Sequence, residues 1–316
     1  MASLSQDGEL LASPPCSPGE LLLRLPLGAY TAARTRGRSF VVAWPTHRHR
    51  ILSSLALLRG GDAAACDEAE VLARVACSAR CALRAAPPGD ALLLLLHVAV
   101  DTLVATVQCT PLPPWPAALP PPRPVLALAP PRPPPFAAKS SVWASQRGPL
   151  QAARPPDCCE VVTLSFHSGA GADVPPCLIE GVLTSFFVAT RCGELHTASV
   201  EDGALPGVAR GVVLAAAERG GCAVRAAAPA FADRAAWAEA FIVNAIRGVT
   251  PVSAIRWGGN DLDVGGGGNT SARDGAFHEK VLPLAPGPAT VAAAAALRAW
   301  HDETVAPDAG DDGWRG

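Results

Sequence analysis

The chain has 316 residues, of which 49% are hydrophobic and 17% charged, so it can bury one large core or two cores of ordinary size. Its formal net charge of −2 predicts no electrostatic attraction to nucleic acid or to anionic lipid. The longest apolar run, ALLLLLHVAV at 91–100, is too short for a membrane span, which needs about 20 residues. We therefore expect a protein with a packed core and neither a nucleic-acid nor a membrane partner.

The ten cysteines form no CxxC pair. Neither Cys77 with Cys81 nor the adjacent Cys158 and Cys159 have a partner His or Cys at zinc spacing. We predict free thiols in a reducing compartment and no metal site. The N-terminus lacks a basic segment before an apolar stretch, so no secretory signal is expected and the cytoplasm, or the interior of an organelle, is the predicted location. Residues 1–19 are predicted to be a disordered tail.

Residues 20–125 are predicted to form a small α/β domain. A strand pair turns at 36–38, and a helix begins with Thr46 as its cap and ends at Gly60. The segment 67–86 predicts a second helix, and 91–109 predicts one or two buried strands.

The segment 110–135 is so rich in proline that it cannot be a helix or a central strand, apart from one short strand at 125–129. We place the domain boundary here, with an interdomain linker at 126–135. A larger domain is predicted over 136–285, with a helix at 205–221 that has a proline in its first turn. A C-terminal helix and an acidic tail complete the chain at 286–316.

Lys139 is one of only two lysines in the chain, the other being Lys280. A lysine amine can form a Schiff base with an aldehyde cofactor such as pyridoxal phosphate. That chemistry also needs an acid for the pyridine nitrogen, an arginine for the phosphate and free N–H groups at a helix start. Glu180, Arg50 and the helix start at 207–209 are candidates, although each of these has an ordinary structural interpretation.

Six segments occur in one order over residues 28–257: GAYTAARTRG, HRHRILSSL, RPPPFAAKSSVW, EGVLTSFFV, DGALPGVAR and FIVNAIRGVTPV. Together they resemble the motifs of aminotransferase class IV, which includes branched-chain and D-amino acid aminotransferases and 4-amino-4-deoxychorismate lyase. The resemblance implies a two-domain α/β (α+β) fold of the D-amino acid aminotransferase type, fold type IV. It also implies pyridoxal 5′-phosphate as cofactor, a small-molecule amino acid or aminodeoxychorismate as substrate, and a homodimer.

The resemblance also implies a role for each matching residue. Lys139 is expected to form the Schiff base and to move the proton of the substrate, while Glu180 is expected to pair with the pyridine nitrogen. The phosphate is expected to bind to Arg50 and to the helix start at Gly207, Val208 and Ala209. The substrate is expected to bind to Tyr30, Arg34 and Arg247.

Several positions depart from the family pattern. Members often carry a threonine at the position of Ala209 and a hydroxyl or small residue at that of Ala245, both near the phosphate. Many bacterial members have a tyrosine five residues after the lysine, where this chain has Ala144. Each missing hydroxyl donor is ordinarily worth about 0.5–1.5 kcal/mol.

Three functions therefore stay open at the level of sequence. The first is amino-group transfer from an amino acid to a keto acid, and the second is release of pyruvate from 4-amino-4-deoxychorismate, which the segment VNAIRGVTPV favours. The third is a non-catalytic binding protein of the same fold. The scarcity of lysine argues against the third, because a decayed site has no reason to retain Lys139.

Overall fold

A computed structural model describes residues 2–12, 16–38, 40–61, 67–89, 91–128, 131–165, 176–258 and 277–303. The chain divides into two compact units. The first unit comprises Met1–Trp115, Ala137–Gln146 and Ala299–Gly316, and the second comprises Pro116–Phe136 and Arg147–Arg298. Within the described ranges, no helix is both long and apolar enough to cross a membrane.

The strands are β1 Ser3–Gln6, β2 Glu9–Leu10, β3 Gly28–Arg36, β4 Phe40–Val41, β5 Leu92–Ala99, β6 Ala105–Pro111, β7 Arg123–Leu128, β8 Glu160–Ser165, β9 Cys177–Gly181, β10 Ser185–Thr190, β11 Leu195–Thr197, β12 Val224–Ala226, β13 Trp237–Asn244, β14 Gly248–Gly258 and β15 Phe277–Val281. The helices are α1 Pro18–Arg24, α2 Trp44–Leu58, α3 Glu68–Ala85, α4 Val142–Gln146, α5 Gly148–Ala152, α6 Val208–Arg219 and α7 Pro288–Glu303, with a 3-10 helix at Phe231–Ala236.

The first unit is built on a six-stranded sheet in the order β2-β1-β6-β5-β3-β4, in which all neighbours are antiparallel. The apolar run predicted as a buried strand is β5, at the middle of this sheet. Alternate β5 side chains enter the same core as the apolar faces of α2 and α3, and this core includes Ile51, Leu55, Val71, Val75, Leu92, Leu94, Leu96 and Val98.

The predicted disordered tail at 1–19 is wrong for its described residues. Strand β1 pairs with β6 from Ser3↔Cys109 to Gln6↔Thr106, and the hydroxyl of Ser3 donates to the carbonyl of Ala82 at 2.6 Å. Helix α1 then begins with a capping box, in which the Ser17 hydroxyl accepts from the backbone N–H of Glu20 and the Glu20 carboxylate accepts in return. The strand is short and polar, so its hydrophobic pattern is weak. Its pairing partner is about 100 residues away in the sequence, and no local pattern indicates that pairing.

The second unit is built on a nine-stranded sheet. Six of its strands close into a ring in the order β10-β13-β14-β7-β8-β9, because β9 also pairs with β10 through Ser185↔Glu180. Strands β11 and β12 extend the sheet beyond β10, and β15 pairs with β14. The ring encloses apolar side chains that include Val125, Val162, Leu164, Leu178, Phe186, Val188 and Ile242.

The domain boundaries differ from those predicted. Strand β7 belongs to the second sheet and pairs in parallel with β8 and β14, so residues 126–128 of the predicted linker lie in that sheet, with Leu126 and Ala127 buried. Residues 137–146, predicted to open the larger domain, instead belong to the first unit. They do so because the backbone N–H of Tyr30 donates to the carbonyl of Lys139, and the N–H of Ser141 donates to that of Gly28, both at 2.9 Å.

The predicted helices are confirmed with shifted ends. Helix α2 begins at Trp44 instead of after Thr46, and the preceding Ala43 has a left-handed backbone with a φ of 54°. Helix α6 has Gly207 as its N-cap, so Pro206 lies before the helix and not in its first turn. The predicted Gly-rich loop at 263–271 and the acidic tail at 304–316 lie outside the described residues.

His47 joins helix α2 to strand β3 inside the first unit. Its Nδ1 lies 2.8 Å from the hydroxyl of Thr31, and its Nε2 is buried without a hydrogen-bond partner among the described residues. Burial lowers the pKa of His47 from 6.5 to about 3, and the positive charges of Arg50 and Lys139 act in the same direction. The imidazole is therefore neutral in the folded protein at pH 7.

This lowered pKa predicts a loss of stability in acid. The unfolded chain takes up the proton of His47 first, so the free energy of unfolding should fall as the pH drops from 6.5 toward 3. The loss from this one group is about 2 kcal/mol by about pH 5. Urea unfolding of His47→Asn should show a flatter dependence on pH than the wild type, whereas His49→Asn, an exposed control on the same helix, should not. Identical slopes for the His47 variant and the wild type would contradict this assignment.

Candidate active site

The backbone of Lys139 is held on both sides in the first unit. Its carbonyl accepts from the N–H of Tyr30 in β3, and its own N–H donates to the hydroxyl of Ser54 in α2 at 3.0 Å. Ala29 and Ser140 form an antiparallel bridge beside this contact. The chain around Lys139 therefore pairs with β3 through this one bridge and forms no regular strand.

The side chain of Lys139 is half-buried, and its Nζ lies 4.8 Å from the centre of the Tyr30 ring. At this distance the face of the ring attracts a protonated amine. The Tyr30 ring is itself buried in a small cluster with Leu95 and Ala144. Ala144, at the position where many bacterial members have a tyrosine, therefore lies in the same cluster as Tyr30.

Arg50 lies on α2 on the turn that separates His47 from Ser54. Its guanidinium and the amine of Lys139 both lie near enough to His47 to lower the pKa of that imidazole. Of the residues predicted from sequence, the first unit thus brings Tyr30, Arg50 and Lys139 into one neighbourhood.

Glu180 is the last residue but one of β9 in the second unit, and it is 6% exposed. One carboxylate oxygen accepts from Nε of Arg132 at 3.1 Å, and the other accepts from the backbone N–H of Leu205 at 3.0 Å. Its backbone carbonyl accepts from the hydroxyl of Thr163 in β8 at 3.0 Å. These contacts fix the Glu180 carboxylate close to the segment that leads into α6.

Arg132 is as deeply buried as Glu180, at 5% exposed. Besides the ion pair, its guanidinium donates to the carbonyl of Phe136, which lies four residues further along the chain. The proline-rich segment is therefore tied to β9 by a charged hydrogen bond and to itself by a second one.

The start of α6 offers backbone donors. Gly207 is the N-cap, and no side chain among the described residues caps the helix. The N–H groups of its first residues can therefore donate to a ligand. A Cβ at Gly207 would stand 2.6 Å from the hydroxyl of Ser185, so a larger residue would crowd this position. Val208 and Ala209 are buried, and the alanine contributes no hydroxyl to this end of the helix.

The two arginines expected to bind a substrate carboxylate lie in different settings. Arg34 is buried on β3, four residues from Tyr30 and on the same face, where it donates to the carbonyl of Pro113 and stacks over Trp115 at 5.5 Å. Arg247 is exposed in the turn from β13 to β14, and its backbone N–H donates to Oδ1 of Asn244 at 2.7 Å. Their role in substrate binding stays a prediction.

A further carboxylate, Glu160 at the start of β8, was not predicted from the sequence. Desolvation raises its pKa, which the charge of Arg247 partly offsets. Its carboxylate accepts from the hydroxyl of Thr184 at 3.2 Å, and Thr184 lies between β9 and β10. Glu160 therefore supports the turn between β9 and β10.

Two other polar residues of the site were also missed. Ser54 closes the H-x-x-R-[LI]-x-x-S pattern and Arg132 opens RPPPFAAKSSVW, so both stood within segments already singled out. Their partners, Lys139 and Glu180, are 85 and 48 residues away in the chain, and no local periodicity could have indicated them.

Lys139 thus belongs to the first unit, and Glu180 and the start of α6 belong to the second. A profile of the family "Amino-transferase class IV" matches residues 28–255, and the chain belongs to this family. Its enzymes use pyridoxal phosphate as their cofactor. No curated protein sequence matches the chain.

Solved structures with the same fold are only distantly similar in sequence. A putative branched-chain amino acid aminotransferase from Thermotoga maritima is 16% identical with a TM-score of 0.64, over 95% of both chains. The branched-chain aminotransferase of Thermoproteus uzoniensis is 18% identical with a TM-score of 0.63, again over 95% of both chains. A hypothetical aminotransferase from Mycobacterium tuberculosis in its PLP-bound form is 16% identical with a TM-score of 0.63, covering 96% of this chain and 99% of the other.

The buried Arg132–Glu180 pair leads to a prediction on stability. Arg132→Met should lower the free energy of unfolding by about 3–5 kcal/mol, because it leaves the Glu180 carboxylate buried without its cation. Adding Glu180→Gln should recover part of this loss, since the stranded charge is removed. Urea unfolding of both single variants and the double variant measures the coupling, with Arg191→Met as an exposed control. Strictly additive losses would show that the pair contributes no coupling.

Proposed function

We propose that this chain is a pyridoxal-phosphate-dependent enzyme that transfers the amino group of an amino acid to a keto acid. The observation that supports this most directly is Lys139, a scarce residue whose backbone is held by Tyr30 and Ser54 and whose amine lies against an aromatic face. A lysine that served only solubility would need no such anchoring.

The residues present fit the cofactor. The N–H groups at the start of α6 and the guanidinium of Arg50 would bind its phosphate. The Glu180 carboxylate, held in place by Arg132 and Leu205, would face its pyridine nitrogen. Gly207 keeps the start of the helix clear of a side chain that would crowd Ser185.

When bound, pyridoxal phosphate supplies an electron sink that weakens the Cα–H bond of an amino acid. Lys139 would hold the cofactor through its aldehyde, and its amine would move the α-proton of the substrate. Tyr30, which lies beneath Nζ, would line the substrate pocket and limit where that amine can point. Arg34 and Arg247 are the candidates for the substrate carboxylate, and a homodimer is the proposed assembly.

A second candidate function is release of pyruvate from 4-amino-4-deoxychorismate. The segment 243–247, with sequence VNAIR, resembles lyase-like members of the family. Its Asn244 shapes the turn from β13 to β14 by accepting from the N–H groups of Ile246 and Arg247, at 3.0 and 2.7 Å. This turn would be a specific structural element shared with lyases.

Replacing Lys139 should separate an active-site lysine from an ordinary one. We expect Lys139→Ala to lose turnover entirely, because no other group can hold and move the proton at the same place. Borohydride reduction in the presence of pyridoxal phosphate should fix the cofactor to the peptide that contains Lys139. Lys280→Ala, which removes the only other lysine, should keep both turnover and labelling. Wild-type activity in Lys139→Ala would refute the proposal.

The two reactions differ in their need for an acceptor. An aminotransferase requires a keto acid to complete its cycle, so product should form only when one is added. A lyase should release pyruvate from aminodeoxychorismate with no acceptor present. We expect dependence on the keto acid, measured in a coupled assay, and pyruvate release without an acceptor would instead establish the second function.

A further inference from the structure

A groove on the first unit lies outside the candidate active site and has no assigned role. It has a volume of about 430 Å³ and is formed by α3 and the hairpin of β1 and β2. We call it the α3 groove, and its lining includes Gly8, Leu10, Cys77, Arg80, Cys81 and Arg84. It therefore combines two thiols with two guanidinium groups.

The two thiols share one face of the helix. Cys77 is exposed and Cys81 half-buried, both are free, and their spacing of four residues places them one turn apart. Gly8 lies against Cys77 and has a left-handed backbone with a φ of 89°. A Cβ at this position would stand 2.5 Å from Sγ of Cys77, so a larger residue would clash with the thiol. The hairpin is fixed in this position by the N–H of Gly8, which donates to the hydroxyl of Ser78 at 3.0 Å.

The charge of the groove is positive. None of the described residues that line it is acidic, and Arg80 and Arg84 take part in no ion pair within the described part of the chain. Arg74, six residues before Arg80 on α3, is by contrast paired with Asp7 at 3.1 Å and with Glu70 at 2.7 Å. The arginines of the groove are thus available to an anion from outside, whereas their neighbour is not.

The two thiols are poorly placed to bond with each other. Side chains four residues apart on a helix have their Cβ atoms about 5–6 Å apart. A disulfide needs about 3.5–4.5 Å between these atoms, so an internal bond would distort α3. A disulfide with a small external molecule carries no such requirement.

We propose that the α3 groove is a modification site for a small anionic disulfide. The Sγ thiolate of Cys77 attacks one sulfur of that molecule, a new S–S bond forms and the original S–S bond breaks. Cys77 is oxidised to the mixed disulfide, and the departing half is reduced to a thiol that takes up the proton which Cys77 lost. The carboxylates of the retained half pair with Arg80 and Arg84.

The test compares two probes on the full chain: glutathione disulfide, which is anionic, and bis(2-hydroxyethyl) disulfide, which is neutral. The reference thiol is Cys192, an exposed cysteine outside the groove whose pKa is lowered by a hydrogen bond with the hydroxyl of Thr190. Peptide mapping by mass spectrometry over time gives the rate at each cysteine. We expect the ratio of the rate at Cys77 to the rate at Cys192 to be about tenfold higher with glutathione disulfide than with the neutral probe. This corresponds to about threefold for each exposed ion pair.

The double variant Arg80→Ala/Arg84→Ala should remove this preference, while Arg219→Ala, an exposed arginine on α6, should leave it intact. The rate with the neutral probe shows whether Cys77 is still presented normally in the double variant. Should that variant not fold, added salt must reduce the preference in the wild type, because exposed charges are screened. The same ratio of rates for both probes, or a preference that survives loss of both arginines, would overturn the proposal. The result does not depend on the function proposed for Lys139.

Discussion

The ion pair of Glu180 with Arg132 organises the second unit around the acid of the proposed site. Glu180 lies where β9 meets β10 and closes the ring of strands, and its carboxylate reaches the segment that leads into α6. Burying two charges costs several kcal/mol for each ion, which only good geometry and further hydrogen bonds can offset. Here both carboxylate oxygens and the backbone carbonyl of Glu180 have donors. The acid is therefore oriented by the fold itself before any cofactor binds.

Lys139 is positioned by a different means. Its carbonyl accepts from the N–H of Tyr30, and its N–H donates to the hydroxyl of Ser54. Two residues further on, the N–H of Ser141 donates to the carbonyl of Gly28. The backbone contacts do not depend on which residues occupy neighbouring positions, so Ala144 can replace a tyrosine without moving the lysine. The departures at Ala209 and Ala245 fall at positions proposed to lie near the phosphate, where backbone N–H groups could still act as donors. The alanines at 144, 209 and 245 are therefore compatible with a retained Lys139.

Much of the fold could be predicted because its longest elements carry strong periodic patterns. Helix α3 follows Asp67, a good N-cap, and β5 is a continuous apolar run. The N-terminal strands and the assignment of 137–146 to the first unit could not be predicted, since both depend on pairing with distant parts of the chain. The site shows the same division. Motifs indicated Lys139 and Glu180, but Ser54 and Arg132 act through long-range contacts that no local pattern encodes.

The closed ring of strands in the second unit has a consequence for association between molecules. A sheet with free edges presents unpaired backbone donors and acceptors that another chain can bind, whereas strands within a ring satisfy these groups among themselves. Of the described strands added to that sheet, β12 is an outer one and only three residues long, and it carries the exposed Arg225. A short, charged margin is a poor template for fibril growth, so the β12 edge should not recruit a strand from another chain.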